Sequence, residues 1–176
     1  LYRQRRAPEA LADFDDLIGR GVLLAPAYNG RGSVRLDLLR NPEAALVDFN
    51  EAIRIQPEHY ALPYIGRGKA YMKLRRYAEA EVEFTRAMAI VPWQAVHGNR
   101  MEARLLAGHR EAALEDLQKL RPAGWTRRDL ETDLELFQAD LERRMRDCSF
   151  FSENGRPVPS FGLETSGTGF SGSGQE

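Results

Sequence analysis

The side chains that could do covalent, acid–base or metal chemistry are few and scattered. Histidines stand at His59, His97 and His109, and Cys148 is the one cysteine. No histidine has another ligand-type residue four positions away on the same helical face, and Cys148 has no second thiol, so the spacing of a zinc site is missing. A cysteine–histidine nucleophile pair would need Cys148 to meet a histidine from about 40 residues upstream, and no motif supports that. Glu79, Glu81 and Glu83 alternate along the chain and point to different faces of a helix, so they do not form a paired general acid and base. Gly30-Arg31-Gly32 is glycine-rich, but no strand precedes it as a phosphate loop requires. The expectation is no catalytic residue, no metal ligand and no cofactor.

Composition sets wider bounds. The 176 residues are 43% hydrophobic, enough for one domain or a short array of repeats sharing a core. The 25 basic and 26 acidic side chains leave a formal charge of −1. They alternate along most of the chain, as on solvated helix faces, and form no basic stripe for phosphate. Nucleic acid is therefore not an expected partner. No run approaches the roughly 20 apolar residues of a membrane helix, and no apolar stretch follows Leu1-Tyr2-Arg3-Gln4-Arg5-Arg6 as in a signal peptide. No membrane insertion is expected, and the lack of a targeting signal favours the cytoplasm. Oligomeric state is not legible from the sequence.

What the chain does contain is a period. Phe14, Phe49 and Phe84 recur at 35-residue spacing, and Leu117 follows after 33. Four residues before each stands Ala10, Ala45, Ala80 or Ala113; three residues after stands Leu17, Ala52, Ala87 or Leu120. Those offsets put all three side chains on one helical face, the small alanine admitting a neighbouring helix and the large ring filling the gap beside it. Upstream, Gly30-Arg31-Gly32 recurs as Gly66-Arg67-Gly68. Gly32 and Gly68 fall inside helices, where glycine costs about 1 kcal/mol and is tolerated where backbones come close. Pro26, Pro57 and Pro92 each follow an apolar run and close a unit.

Each unit thus reads as helix A, turn, helix B, proline. The third has helix A over about 62–74, a turn at Arg75-Arg76-Tyr77 and helix B over about 78–91. The second has helix A over about 28–39, a turn at Arg40-Asn41 and helix B from Pro42. The fourth has helix A over about 95–107, Gly108 as the turn and helix B over about 110–120. No segment alternates with period two, so strands are not expected.

The small–large–small–proline pattern of Gly68, Tyr71, Ala80, Phe84, Ala87 and Pro92 resembles the tetratricopeptide repeat. The resemblance covers about residues 1–122, in units of about 1–26, 27–57, 58–92 and 93–122. The fourth unit has Glu102 where glycine would stand and Leu117 in place of phenylalanine. The implied fold is all-α, a right-handed superhelical stack of antiparallel hairpins. A 35-residue spacing also suggests the pentatricopeptide repeat, which reads single-stranded RNA; the alanine–phenylalanine–alanine–proline series and the helix-A glycines favour the tetratricopeptide reading.

The two ends differ from the middle. Pro8-Glu9-Ala10-Leu11 echoes the start of the second helix B, which places Leu1 near the end of a first helix A and makes the first unit incomplete. The first unit also has about four extra residues between Leu17 and Pro26, including Gly19 and Gly21, so its helix is broken or its exit lengthened. After residue 122, Thr126-Arg127-Arg128-Asp129 forms a weak capping box before a stripe of Leu130, Leu134, Phe137, Leu141 and Met145. Residues 123–148 read as a capping helix over the last hairpin. From residue 149 to 176 the Gly/Ser-rich composition, with Phe150, Phe151, Phe161 and Phe170 interspersed, reads as a disordered tail.

In hairpin stacks of this kind the A helices line a concave face. The partner-binding residues expected there are Asn29, Ser33 and Leu36; Ile65, Lys69, Met72 and Lys73; and Asn99, Ala103 and Leu106. Apolar anchors and amides in such a groove suit a peptide or helix of another protein. A chaperone carboxylate clamp is doubtful, because Ile65 and Ala103 stand where polar groups would be wanted. The resulting reading is a scaffold or adaptor without catalysis. The alternative is the accessory helical region of a longer enzyme or envelope-assembly protein, and a minor one is a single-stranded RNA-binding repeat.

Overall fold

Helices form where the alanine–phenylalanine spacing places them, and they pack as consecutive pairs. The computed structural model describes residues 6–121 and 123–153, with side chains to residue 146. Its helices are α1 (Ala7–Gly19), α2 (Leu24–Asp37), α3 (Pro42–Ile55), α4 (Leu62–Lys73), α5 (Tyr77–Ile90), α6 (Gln94–Leu106), α7 (Arg110–Leu120) and α8 (Arg127–Glu153). No strand occurs among the described residues. The closest pairings are α2 with α3, α4 with α5 and α6 with α7, followed by each hairpin with the next. Successive A helices also touch, α2 with α4 and α4 with α6, more closely than successive B helices do.

The local chemistry explains the boundaries. The Asn41 side chain accepts a hydrogen bond from the Ala44 N–H at 2.9 Å, capping α3, and Pro42 takes the first helical position. Each A-to-B turn bends through one left-handed residue: Arg40 (φ 55°), Arg75 (φ 58°) and Gly108 (φ 83°). Behind that bend the Arg76 N–H donates to the Tyr71 carbonyl at 2.9 Å, and the His109 N–H to that of Arg104 at 2.7 Å. These bonds satisfy carbonyls that the helix end would leave bare. At α8 the capping box is reciprocal: the Asp129 carboxylate accepts from the Thr126 N–H at 2.8 Å, and the Thr126 hydroxyl oxygen accepts from the Asp129 N–H.

Two sequence expectations need correction, and of the two alternatives left for the first unit the structure has the lengthened exit. Pro26 does not close the first unit; it lies in the first turn of α2, where its missing N–H would have had no intrahelical partner. Pro57 and Pro92 do follow α3 and α5 as expected. The extra residues leave α1 unbroken to Gly19 and form the turn after it, with Gly21 and Leu23 left-handed. The last helix continues to Glu153, past residue 148, because the Gly/Ser-rich composition begins in earnest only after Glu153. The rest of the tail, with Phe161 and Phe170, lies outside the described residues.

The core is a row of rings seated on glycines. The Phe49 ring is fully buried, with Gly32 of its own hairpin on one side and Gly66 of the next on the other. A Cβ on Gly32 would stand 2.9 Å from that ring, and one on Gly66 would overlap it. Phe84 packs the same way on Gly68. In the last hairpin Met101, and not Glu102 as the sequence pattern suggested, stands in place of the glycine, and the smaller Leu117 replaces the ring. There Leu117, Met101 and Leu114 join Leu130 and Leu134 of α8 in one buried cluster, with Phe137 packed against it. The described residues divide into two units at Asp140; the first holds the hairpins and α8 to Asp140, the second the remainder of α8.

This packing separates two glycines that helix propensity treats alike. Gly66→Ala would gain about 1 kcal/mol of propensity but force its methyl into Phe49, and overpacking costs roughly 1–3 kcal/mol. Nothing lies within 4 Å of a Cβ on Gly98 in α6. Urea denaturation should show Gly66→Ala destabilised and Gly98→Ala neutral or more stable by up to about 1 kcal/mol.

Candidate functional site

The polar groups brought together most tightly are the arginines of the A helices and the acids of the B helices. Arg31, Arg67 and Arg100 occupy one register on α2, α4 and α6. Each reaches the acid just before the ring position of its own B helix: Arg31 to Asp48 at 2.7 Å, Arg67 to Glu83 at 2.6 Å and Arg100 to Asp116 at 2.6 Å. Asp48 and Asp116 are fully buried and Glu83 nearly so. The same guanidinium then reaches back to the residue just after the ring of the preceding B helix. Arg31 bonds Asp15 at 2.6 Å, Arg67 bonds the side-chain amide oxygen of Asn50 at 2.8 Å, and Arg100 bonds the Thr85 hydroxyl at 3.2 Å. Three residues earlier, Tyr28 and Tyr64 lie under Arg31 and Arg67, at 5.2 and 5.6 Å from ring centre to guanidinium carbon. His97 takes that register in α6 and places Nδ1 2.8 Å from Asp116.

Side-chain length is matched to what helix A supplies. The aspartates each receive a second arginine one turn along helix A, Arg35 on Asp48 at 2.8 Å and Arg104 on Asp116 at 2.9 Å. In the third hairpin Tyr71 holds that register, and the longer Glu83 has no such second A-helix cation. Arg104 also bonds Glu81 of the preceding B helix at 2.8 Å, and His109 meets the same carboxylate at 2.7 Å. Burial on its own would raise the Asp116 carboxyl, but hydrogen bonds from Arg100 and His97 hold it below its ordinary value. Glu81 is likewise lowered, against its burial, by His109 and Arg104. Among the described residues no group of three His, Cys, Asp or Glu side chains is arranged to hold a metal. None of the described helices is long and apolar enough to cross a membrane.

The sequence-derived groove residues divide into two groups. Lys69 and Lys73 are exposed on α4, and Asn29, Ser33, Ile65, Met72 and Leu106 are half-buried. Leu36 and Ala103 are core instead: Leu36 joins Ala45, Phe49 and Ala70, and Ala103 joins Ala80, Phe84 and Ala87. Asn99 stands at the register of Gly30 and Gly66, the face turned toward the preceding B helix, where those glycines meet Phe14 and Phe49. Glu102 holds the register of Ser33 and Lys69. Of the polar groups, Asn29 shares a hydrogen bond with the Tyr60 hydroxyl, and Ser33 donates to the Asn29 carbonyl at 3.0 Å. Ile65 and Met72 pack against the core cluster of α5. The arginine ladder was missed in the sequence, although its signal was present: an arginine at one register of three A helices and an acid one residue before each ring.

Paired helices in register, with no strand among the described residues, define a helical-hairpin repeat. Over 67 residues the chain is 39% identical to the protein O-mannosyl-transferase Tmtc3 of Drosophila melanogaster, a stretch that covers 38% of this chain and 7% of the fly protein. The match therefore spans a small part of that relative's length. It is consistent, together with the hairpins, with a tetratricopeptide-like repeat. No known family profile matches the chain.

Removing the buried carboxylate should expose how much the ladder matters. Asp116→Ala leaves Arg100 without its carboxylate and Arg104 with Glu81 alone, and breaking a buried pair this way costs roughly 3–5 kcal/mol. The Asp116 pKa is depressed on folding, so its contribution is fully present above its ordinary value near 3.8 and is lost as pH falls below that toward the folded value. Denaturation followed from pH 6 downward (about the neutral side of the carboxylate range) should show a weaker acid dependence for Asp116→Asn than for the parent.

Proposed function

We propose that this chain is a protein-interaction scaffold, a tetratricopeptide-type stack winding as a right-handed superhelix, whose A-helix face holds a peptide or helix of another protein. The observation that carries the reading is the unequal spacing of the helices within residues 6–140: A helices touch their A neighbours more closely than B helices touch theirs. A stack so arranged curves toward its A helices and presents them on the inner wall. On that wall Lys69 and Lys73 supply charge, Ile65, Met72 and Leu106 supply apolar surface, and Asp37 and Glu102 flank them with acids. Side chains of both kinds on one wall suit a peptide whose apolar anchors give affinity and whose polar groups fix register. No catalytic role is assigned to any residue: the buried carboxylates that could serve as acids or bases are each engaged by arginine.

A second reading draws on the partial match. The relative is named as an O-mannosyl-transferase, and the matched stretch is a small fraction of it. A hairpin array of this kind would then be an accessory region of a longer enzyme, presenting or positioning a protein substrate rather than transforming it.

A photo-crosslinking residue at position 69 should capture a bound protein, and one at Val82 on the outward face of α5 should not. Charge reversal by Lys69→Glu should weaken the captured partner's binding about three- to tenfold, the range of a single partly exposed charge contact, with helicity unchanged. Equal capture from both positions would refute the proposed face.

A further inference from the structure

On α4 the stripe that lines the A-helix wall runs Leu62, Ile65, Lys69 and Lys73, at spacings of three and four residues that keep one helical face. Its N-terminal half is apolar and its C-terminal half is charged. Both neighbouring A helices divide the same way. On α2 Pro26 and Asn29 carry no charge, and Asp37 ends the stripe. On α6 Ala95 and Gly98 carry none, and Glu102 follows them. Leu62, Lys69, Lys73 and Asp37 are exposed, and Glu102 is half-buried. Because the hairpins are antiparallel, every B-to-A connection lies on one edge of the array. Trp93, just before α6, therefore adds an exposed ring on the edge where Leu62 stands. Across the charged halves the sign alternates: an acid on α2, two lysines on α4 and an acid on α6.

We propose, resting on the A-helix wall as the binding face, that the partner segment held there is an amphipathic helix lying across α2, α4 and α6. Its apolar stripe faces Leu62 and Ile65, and basic, acidic and basic side chains at seven-residue intervals face Asp37, Lys69 and Glu102. The spacing selects a helix. Packed helices stand about 8–10 Å apart, and α2, α4 and α6 touch in turn. An α-helix rises about 1.5 Å per residue and returns to the same face after seven, roughly 10 Å further on. One such step carries a ligand charge from one A helix to the next while it still points at the wall. An extended chain returns to one face only after about 6.6 Å or about 13 Å, and neither matches the step. The order of signs selects further. A uniformly acidic helix would meet Asp37 and Glu102 with like charge, and a uniformly basic one would meet Lys69 and Lys73 so.

The test uses the intact chain and three fluorescein-labelled peptides of about 20 residues, long enough to be helical on an alanine–glutamine background. All carry one leucine stripe. The first has Lys, Glu and Lys at seven-residue intervals. The second has the same composition in the order Lys, Lys, Glu, so net charge is unchanged. The third is the first with a central proline, which breaks the helix. Fluorescence anisotropy should saturate with the first peptide, at least about tenfold tighter than with either of the others, since permuting the order turns two attractions into repulsions. In Lys69→Glu/Lys73→Glu the preference for order should be lost, and Leu62→Asp should weaken the first peptide. These three positions are exposed, so the variants keep the fold, which circular dichroism checks. Equal binding of the permuted or the proline peptide overturns the proposal; if Leu62→Asp still weakens that binding, the A-helix wall stands as the binding face. Failure of every peptide to saturate also overturns it, and crosslinking at position 69 then decides the scaffold reading separately. Binding removed by Val82→Asp and untouched by Leu62→Asp would overturn both.

Discussion

The placement of the aromatic ring between two glycine-bearing helices sets the geometry of the whole array. A Cβ at Gly32 or Gly66 would meet the Phe49 ring, so the distance from helix B to both neighbouring A helices is fixed by one side chain. Interiors are close-packed and respond to a single methyl group. Once that distance is fixed, the alanines at Ala45 and Ala52 have room against the partner helix and nothing larger does. The glycines cost helix propensity, and the burial of the ring against backbone offsets it.

Packing fixes distance but leaves register open, because alanine and leucine faces can slide by a turn. The arginine ladder removes that freedom. Each guanidinium reaches an acid of its own hairpin and a polar group of the preceding one, so a helix displaced by one turn would leave a carboxylate buried and alone. Isolated buried charge is far more costly than a paired one, although a pair contributes little net stability over apolar residues. The ladder is thus better read as specification of register than as a source of stability. Aspartate with two arginines of helix A, and glutamate with one from helix A and Arg86 of its own helix, are two solutions to the same reach.

The hairpins were legible because their signal is repetition: alanine, ring and proline returning in step define faces without any knowledge of tertiary structure. Helix bounds in the third and fourth hairpins came within a residue or so for the same reason. The start of α2 was not legible, since Pro26 reads as a terminator unless one knows it lies in a first turn. The groove residues were partly legible. Leu36 and Ala103 were assigned to the surface because helical periodicity gives an angle but not the depth to which a neighbouring hairpin covers it. The Arg–acid ladder went unread because its members lie about 16 residues apart on different helices, beyond any local periodicity, and charged residues default to solvent.

The reach of each arginine into the hairpin before it also shapes how the array comes apart. In a linear stack, stability is a sum of unit terms and of terms between neighbours, and loss proceeds from whichever end has the fewest neighbours. The C-terminal hairpin is closed off by Leu130 and Leu134 and by the ion pair of Arg121 with Asp133. At the other end α1 is held by α2, through Phe14 and the exposed pair of Arg31 with Asp15. Among the described residues, local opening of α1 therefore costs less than opening the last hairpin.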